Sequence, residues 1–488
     1  MRRVRVTALV LLAVLSAAAC GARLSPELRK QAATAALNAG SGNGTGTGPG
    51  AGPANSPGAV NGGIGGAIGG TNGTQGSNGT TGTQGTQGGT QGAASGCNGA
   101  TDVGMTADSI QLGNVSSTSG PVSGLFEGAP QGAQAFGAFL NSQGGLCGHN
   151  VHIRFADDST NCQGNQNATE ELASKVFAFV GSFSLEDGCG AKYLNAHTNV
   201  PDIHVALAPE ADSPPNHFDI ETGALGYATG PFAYYAKKLG AAVQSVGTLY
   251  ANVGGAVPKQ KAFEHAAESV GWKFVYSRAT DASETDWVGD FVTMCNRDKI
   301  KIFFTGAENA QYAAKMVNDE RQAGCPSSLI NIIPIAYDQA FVADVGNTSA
   351  IENLLGWNEY SLFFNTDEAE KIPELKLLQG WFSKANPGKP LNLYALFAWA
   401  SGRLFQQAFQ AAGAHVNRAS LMDQMRKIQQ FTASGIVAPM TPSDKKGGVK
   451  CYVLWQVHNG KFSRVDDPAP TADSKGYRCD GQFLPLNG

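Results

Sequence analysis

The sequence contains few charged residues and no strongly basic segment. Charged residues make up 15% of its 488 residues, and the formal net charge is −4. Nucleic-acid-binding domains usually concentrate lysine and arginine on one face or along one helix, and no such stripe is present. The sequence therefore argues against nucleic acid as a partner.

Motifs of common exported enzymes and of metal sites are missing as well. We find no G-x-S-x-G elbow, no H-E-x-x-H helix and no P-loop. The glycine-rich stretch 62–70 lacks the strand and helix that would flank a dinucleotide-binding turn. No C-x-x-C or cysteine–histidine cluster suggests a metal. We expect no catalytic residues, no cofactor and no metal, with an exported hydrolase as the rival interpretation.

No apolar run is long enough to span a bilayer. The run at 8–19, ALVLLAVLSAAA, follows three arginines and ends at Cys20, which is typical of a signal peptide. The small residues directly before Cys20 resemble the lipobox of bacterial lipoproteins, although Ala17 stands where leucine is commonest. We expect residues 1–20 to be a lipoprotein signal peptide and lipid on Cys20 to anchor an extracytoplasmic protein to the cell membrane. An ordinary signal peptide is the alternative.

Residues 21–99 predict a short helix followed by a disordered tether. The stretch 25–38 has helix-start signals at Ser25 and Pro26. From 39 onwards Gly, Thr, Asn, Gln and Ser dominate, and 23 of the 63 glycines lie within 41–99. Such a composition buries too little apolar surface to offset the entropy lost on ordering.

The cysteines agree with export. Removing Cys20 from the nine leaves an even number, which favours disulfides in an exported chain. Pairing in neighbour order gives 97–147, 162–189, 295–325 and 451–479, involving Cys97, Cys147, Cys162, Cys189, Cys295, Cys325, Cys451 and Cys479. The pair 162–189 is best supported, because each cysteine follows one of two successive strands; sequence alone leaves the other pairings open.

Strand and helix patterns alternate through the rest of the chain, about 390 residues, which is large enough for two lobes. Strands are predicted at 109–115, 151–158, 176–182, 200–209, 247–252, 272–279, 299–306 and 329–337. Helices are predicted at 129–145, 166–175, 191–199, 228–240, 259–271, 287–298, 310–324, 394–413 and 420–430, and a hairpin at 450–465 turns at Asn459-Gly460. This order indicates parallel sheets covered by helices, whose ligands bind beyond the carboxyl ends of the strands.

Several segments together resemble one family. MTADSIQLGNVSSTSGP, LNSQGGLCGHNVHIRFADD, KVFAFVGSFS, NVPDIHVALAP, KIFFTGAENA and LNLYALFAWASGRLFQQAFQAAG are similar, in order, to segments of type I periplasmic binding proteins. The likeness covers roughly 103–465 and is greatest to the branched-chain amino acid (leucine-binding) group that serves ABC transporters.

The resemblance implies an α/β fold with two lobes, each a mostly parallel sheet with helices on both faces, closing like a Venus flytrap. Lobe one would comprise 100–225 plus 355–432, and lobe two 226–354 plus 433–488. The ligand would sit in the cleft between them.

The resemblance also implies the ligand-binding residues. In lobe one they are Ser182, Phe183, Ser184, Ala206, Leu207 and Ala208, and in lobe two Asn252, Glu308, Tyr337 and Asp338. The loop at 182–184 would bind an anionic group, with helix capping as the alternative role of its serines. Glu308 or Asp338 would pair with an ammonium group, or be an ordinary solvated acid. The family often has a threonine near 206–208, and this chain has no hydroxyl there.

The expected function follows from these points. It is an extracytoplasmic solute-binding lipoprotein of an ABC importer, acting as a monomer with a membrane permease, and capturing an amino acid or similar small polar solute. A ligand-sensing module that feeds a signalling receptor is an alternative. His204 is interpreted as a packed core histidine, and Trp357 and Tyr360 as hinge packing rather than ligand stacking.

Overall fold

The computed structural model describes residues 100–121, 123–221, 226–281, 283–445, 447–466 and 476–486. All of these residues belong to one unit of the chain, 88–488. The predicted signal peptide, the lipidation site at Cys20 and the tether at 21–99 lie outside the described residues.

Two large sheets and one small sheet organise the described chain. The strands are β1 (Ser109–Ser116), β2 (Asn150–Asp157), β3 (Ala178–Val180), β4 (Asp202–Ile203), β5 (His217–Phe218), β6 (Gly226–Ala228), β7 (Val246–Ala251), β8 (Phe274–Thr280), β9 (Ile302–Phe304), β10 (Ile330–Ile332), β11 (Leu355–Asn358), β12 (Val453–His458), β13 (Lys461–Arg464) and β14 (Phe483–Pro485). The first sheet has the order β2-β1-β3-β4-β5 and is entirely parallel. The second has the order β13-β12-β11-β10-β9-β7-β8. It is parallel from β8 to β11 and antiparallel at β12 and β13. Strands β14 and β6 form an antiparallel pair.

Twelve α-helices are present among the described residues. They are α1 (Gly128–Ser142), α2 (Cys162–Ala173), α3 (Asp187–Ala196), α4 (Pro209–Asp212), α5 (Gly230–Leu239), α6 (Ala256–Ser269), α7 (Val288–Val292), α8 (Ala310–Gln322), α9 (Gln339–Val345), α10 (Pro373–Ala385), α11 (Leu393–Ala412) and α12 (Arg418–Lys427). Within the described ranges, none is both long and apolar enough for a bilayer crossing.

Helices α1 and α11 pack with their backbones almost in contact. A Cβ atom at Gly132 of α1 would lie 2.3 Å from the carbonyl oxygen of Ala395 in α11, so only glycine fits there. Helix α11 begins with Asn392, whose side chain accepts a hydrogen bond from the Ala395 backbone N–H. Nearly all of its apolar residues are buried. Helix α11, which is late in sequence, therefore belongs to the body built by the first strands.

The predicted α/β fold with parallel-rich sheets is confirmed, but several strands are shorter than the patterns indicated. The strand expected at 200–209 is reduced to Asp202–Ile203. The one expected at 329–337 ends at Ile332, because Pro334 starts a turn of 3-10 helix. Helix α10 was not predicted.

Three of the predicted disulfides are confirmed: 162–189, 295–325 and 451–479. Their Cα atoms are 5.4, 5.5 and 4.1 Å apart. Cys147 is also disulfide-bonded. Its predicted partner, Cys97, lies outside the described residues, so that pair stays a prediction.

The second sheet reaches further along the chain than the sequence suggested. Strand β11, Leu355–Asn358, pairs with β10 and β12, whereas the sequence predicts that the return to lobe one starts at 355. We therefore propose that the return follows Asn358, and we keep the remaining lobe boundaries as proposals. Either way, the carboxyl end of β11 comes to the same place as the ends of the other parallel strands.

Candidate functional site

A cavity of about 200 Å³ lies where the carboxyl ends of strands from both sheets face each other. Phe183 follows β3 and Leu207 follows β4 of the first sheet. Glu308 follows β9 and Glu359 follows β11 of the second sheet. This is the position at which parallel α/β sheets bind ligands.

Aromatic side chains form one wall of the cavity. The ring of Phe183 lies 4.9 Å from those of Phe126 and Tyr394, and 6.4 Å from that of Phe397. Phe126 and Tyr394 are themselves 4.8 Å apart. Phe126 comes from the loop between β1 and α1, and Tyr394 and Phe397 come from α11. This wall can bind an apolar body and offers ring faces to a cation.

A charged cluster lies elsewhere in the lining. The ammonium of Lys259, on α6, lies 3.6 Å from a carboxylate oxygen of Glu221 and 5.0 Å over the ring of Tyr227. The indole N–H of Trp357 donates to the Tyr227 hydroxyl over 2.9 Å. Burial raises the pKa of Glu221 well above its usual value, against the opposing charge of Lys259, and a hydrogen-bonded Glu359 raises it further. These groups are thus largely satisfied by one another.

Glu308 differs from that cluster. Its side chain accepts hydrogen bonds from the backbone N–H of Asn309 over 2.9 Å and from the Thr280 hydroxyl over 3.2 Å. No described residue forms an ion pair with it, and only 9% of it is exposed. Burial raises its pKa to about 7. The cavity therefore contains a buried carboxyl group whose only described partners are uncharged.

We expect Glu308→Gln to stabilise the unliganded protein at alkaline pH. A carboxyl pKa raised from 4.5 to about 7 on folding favours the folded state fully below pH 4.5, and this stabilisation is lost as the pH rises through 7. Glutamine cannot ionise, so the variant should exceed the wild type in free energy of unfolding by up to about 3 kcal/mol at pH 8. The difference should change little between pH 8 and 9 and shrink towards pH 5. Urea unfolding at each pH measures it.

Glu171→Gln is the control for that experiment. Glu171 lies on an exposed part of α2, where Lys175 lowers its pKa. Its removal should give no stabilisation at pH 8. A Glu308→Gln variant less stable than the wild type at pH 8 would contradict the expectation.

Of the ten residues that the sequence suggested for ligand binding, Phe183, Leu207 and Glu308 line the cavity. Ser182 and Ser184 do not, because their side chains point into the interior beside the first sheet. The Ser182 hydroxyl accepts from the Val115 backbone N–H over 3.1 Å, and the Ser184 hydroxyl donates to Asp158.

The segment at 206–208 is likewise only partly in the lining. Ala206 packs in a small cluster with Ala191 and Ala211. The backbone N–H groups of Leu207 and Ala208 donate to the Asp187 carboxylate over 2.6 and 3.1 Å. Ala206 and Ala208 therefore lie behind the wall, and Leu207 alone faces the cavity.

Asn252, Tyr337 and Asp338 also lie outside the lining. Asn252 is exposed. Asp338 caps α9 by accepting from the Ala340 backbone N–H over 2.7 Å. The hydroxyl of Tyr337 accepts from the backbone N–H of Phe364 over 2.8 Å, which fixes the chain after β11. The side chains of Tyr337 and Asp338 therefore have local structural roles instead.

The sequence did not indicate most of the remaining lining. It includes Trp357 and Tyr360, for which the sequence predicts hinge packing. It also includes Leu125, Phe126, Val205, Glu221, Lys259 and Glu359. Phe126 follows a strand in a glycine-bearing loop, which is the one signal that could have pointed to it. Lys259 lies one turn into an amphipathic helix, and no sequence pattern separates it from a surface lysine.

Comparisons with known proteins agree with this architecture. A family model described as periplasmic binding protein matches residues 109–461. The fatty acid ABC transporter substrate-binding protein from Thermomonospora curvata is similar in structure, with 16% identity, a TM-score of 0.61 and coverage of 80% of this chain and 95% of that one.

Two further solved structures have comparable similarity. A branched-chain amino acid ABC transporter protein from Thermus thermophilus with bound valine shows 15% identity, a TM-score of 0.62 and coverage of 75% and 97%. A solute-binding protein from R. palustris in complex with 4-hydroxybenzoate shows 17% identity and a TM-score of 0.60, and the match covers 74% of this chain and 96% of that one. No curated protein matches the chain. The family model spans well over half of the sequence, and the chain therefore belongs to the periplasmic binding protein family.

Proposed function

We propose that this protein captures a small, largely apolar solute outside the cytoplasm and presents it to an ABC importer. The observation that carries the proposal is the cavity, whose walls come from both sheets and are mostly apolar and aromatic. A solute can contact both walls of such a site only when the two sheets, with their helices, approach each other. Binding of the solute is therefore coupled to the conformation of the protein.

The contact at the rim supports this coupling. A Cβ atom at Gly255, at the start of α6, would lie 2.6 Å from the Cβ of Leu207, which follows β4 of the first sheet. Helix α6 follows β7 of the second sheet, so the bodies built on the two sheets touch directly beside the cavity. A solute that adds contacts to both walls favours this arrangement by its differential affinity for it.

The structural neighbours are consistent with a small solute that combines an apolar part with polar groups. Their names mention a fatty acid, valine and 4-hydroxybenzoate. We propose an amino acid or similar small molecule as the broad class, lipid anchoring at Cys20, a membrane permease as partner and a monomeric state. A sensing role is the second candidate, and a permease and ATPase encoded beside the gene would favour transport over sensing. Turnover of the bound solute would favour a hydrolase.

Mass spectrometry of freshly purified protein after denaturation is the test. We expect a copurified solute below about 200 Da, because an apolar cavity of about 150 Å³ already accommodates benzene. Titration of the solute-free protein should release or absorb heat and reduce the radius of gyration. If no solute copurifies, and a broad metabolite library gives neither heat nor a change in scattering, the proposed function is wrong.

A further inference from the structure

The polar groups of the segments that follow β3 and β4 are already used within the protein. The hydroxyl of Ser184 accepts from the Glu186 backbone N–H over 2.9 Å and donates to Asp158. The N–H groups of Leu207 and Ala208 donate to Asp187, the first residue of α3. The carboxylate of Asp187 thus occupies the donors that a ligand carboxylate would need.

The side chains that face the cavity from these segments are apolar. Phe183 and Leu185 surround the inward-pointing Ser184, and Val205 and Leu207 surround Ala206. Because side chains alternate along an extended chain, the polar residues of each segment point away from the cavity when the apolar ones line it. A carboxylate bound against these two segments would lose water without gaining donors from them.

Carboxyl groups outnumber ammonium groups in the described lining. It contains three carboxyl groups, on Glu221, Glu308 and Glu359, and one ammonium, on Lys259. Lys259 lies against Glu221 and over the rings of Tyr227 and Phe263. A ligand carboxylate would have to compete with Glu221 for this lysine.

Glu308 is the complementary observation. It is buried in the wall, it accepts hydrogen bonds from Thr280 and Asn309, and it forms no ion pair with any described residue. A carboxylate in a dry cavity gains strongly from a charge-assisted hydrogen bond to a cation. The aromatic wall would add favourable contacts between the ring faces and the same cation.

We propose that the solute is a compact apolar amine without a carboxylate, with its ammonium on Glu308 and its aryl or branched-alkyl body against Phe126, Phe183, Tyr394 and Phe397. This inference rests on the proposed function, because it names the class of solute for the same cavity. The cavity volume of about 200 Å³ fits one ring and a short side arm.

Calorimetry with three probes of similar shape tests the inference: 2-phenylethylamine, 3-phenylpropanoate and L-phenylalanine. We expect the amine to bind at least about tenfold more tightly than the acid or the zwitterion, because only the latter two carry a carboxylate, for which the segments after β3 and β4 offer no free donor. Glu308→Gln should weaken binding of the amine by about 10- to 100-fold. Thermal unfolding of the variant confirms that it folds.

Glu320→Gln is the matched control. Glu320 is another buried glutamate, on α8, hydrogen-bonded to Asn331 and outside the cavity lining. It has the same side chain and a pKa raised to about 7 by burial, so its replacement reproduces the change in charge without touching the cavity. Amine affinity should stay within about twofold of the wild type.

The outcomes separate this inference from the proposed function. Tighter binding of 3-phenylpropanoate or L-phenylalanine than of the amine would overturn the amine assignment and leave solute capture intact. The same holds if a copurified solute carries a carboxylate. Equal amine affinity in wild type and Glu308→Gln would remove Glu308 from the site. A protein that binds no probe and carries no solute would contradict both.

Discussion

Asp202→Asn should lower the free energy of unfolding at pH 6 by about 3–5 kcal/mol, because it breaks a buried ionic network from its centre. The Asp202 carboxylate is 3% exposed and accepts from two imidazoles. Its oxygens lie 2.9 Å from His204 Nδ1 and 3.3 Å from His217 Nδ1. The other ring nitrogen of His217, Nε2, lies 2.9 Å from a carboxylate oxygen of Asp219. The amide of the variant would leave both imidazoles without their shared anion.

The effect should depend on pH in a defined direction. Burial by itself lowers the pKa of His204, but the charge of Asp202, the hydrogen bond that His204 donates to Asp202 and the nearby Asp187 carboxylate raise it to about 10. A histidine pKa above its ordinary 6.5 stabilises the fold fully below pH 6.5, and this stabilisation is lost as the pH rises towards 10. The pKa of Asp202 is lowered well below 3.8, so its contribution is present above about pH 4. The difference between the wild type and Asp202→Asn should therefore be greatest at pH 5–6 and narrow towards pH 10.

Urea denaturation of both proteins across this pH range measures the difference. Asp423→Asn is a suitable control, since Asp423 is an exposed carboxylate paired with Arg426 on α12, and its loss should cost less than about 1 kcal/mol. A loss from Asp202→Asn that is equally small, or that does not vary with pH, would show that His204 is neutral in the folded protein.

This network also explains why Leu207 lies where it does. His204 Nε2 lies 3.8 Å from the Asp187 carboxylate, and that carboxylate in turn accepts from the N–H groups of Leu207 and Ala208. The cavity wall after β4 is therefore positioned from behind by buried charges rather than by β-sheet pairing, which ends at Ile203. Damage to the network should shift the loop that carries Leu207 as well as lower stability.

The sequence sufficed for the architecture because that depends on patterns that many residues share. Alternating strand and helix periods predicted the parallel sheets, and the positions of Cys162 and Cys189 after successive strands predicted their disulfide, which the structure confirms. These inferences need only the order of elements along the chain. Phe183 and Glu308 were instead implied by the resemblance to the family, and both line the cavity.

The details of the cavity depend on features that the sequence does not carry. Ser182, Phe183 and Ser184 alternate between two faces, and a shift of one residue would have exchanged the phenylalanine for the serines in the lining.

Glu221 and Glu359 lie in connections between the sheets, and Lys259 lies on a helix, so these three residues come together only through tertiary packing. Asp187 gave no signal, because its role consists of backbone hydrogen bonds to a loop twenty residues later.

Gly255→Ala should weaken solute binding by about 5- to 150-fold while leaving the unliganded protein folded and stable. The added Cβ would lie 2.6 Å from the Cβ of Leu207, a separation at which one of the two bodies must move. Gly255 has φ −84° and ψ −28°, which alanine adopts without strain, so the substitution penalises only the arrangement in which the two bodies touch. Overpacking of this kind costs about 1–3 kcal/mol, which sets the expected range of affinity loss.

Calorimetry with the copurified solute, or with 2-phenylethylamine, measures the affinity, and scattering shows whether the variant still contracts at saturation. Gly380→Ala provides the control, because a Cβ at this position on α10 meets no atom within 4 Å. It should bind like the wild type. Equal affinity in Gly255→Ala would mean that Leu207 and α6 are separated in the liganded protein, and closure at this rim could not then be what couples occupancy to shape.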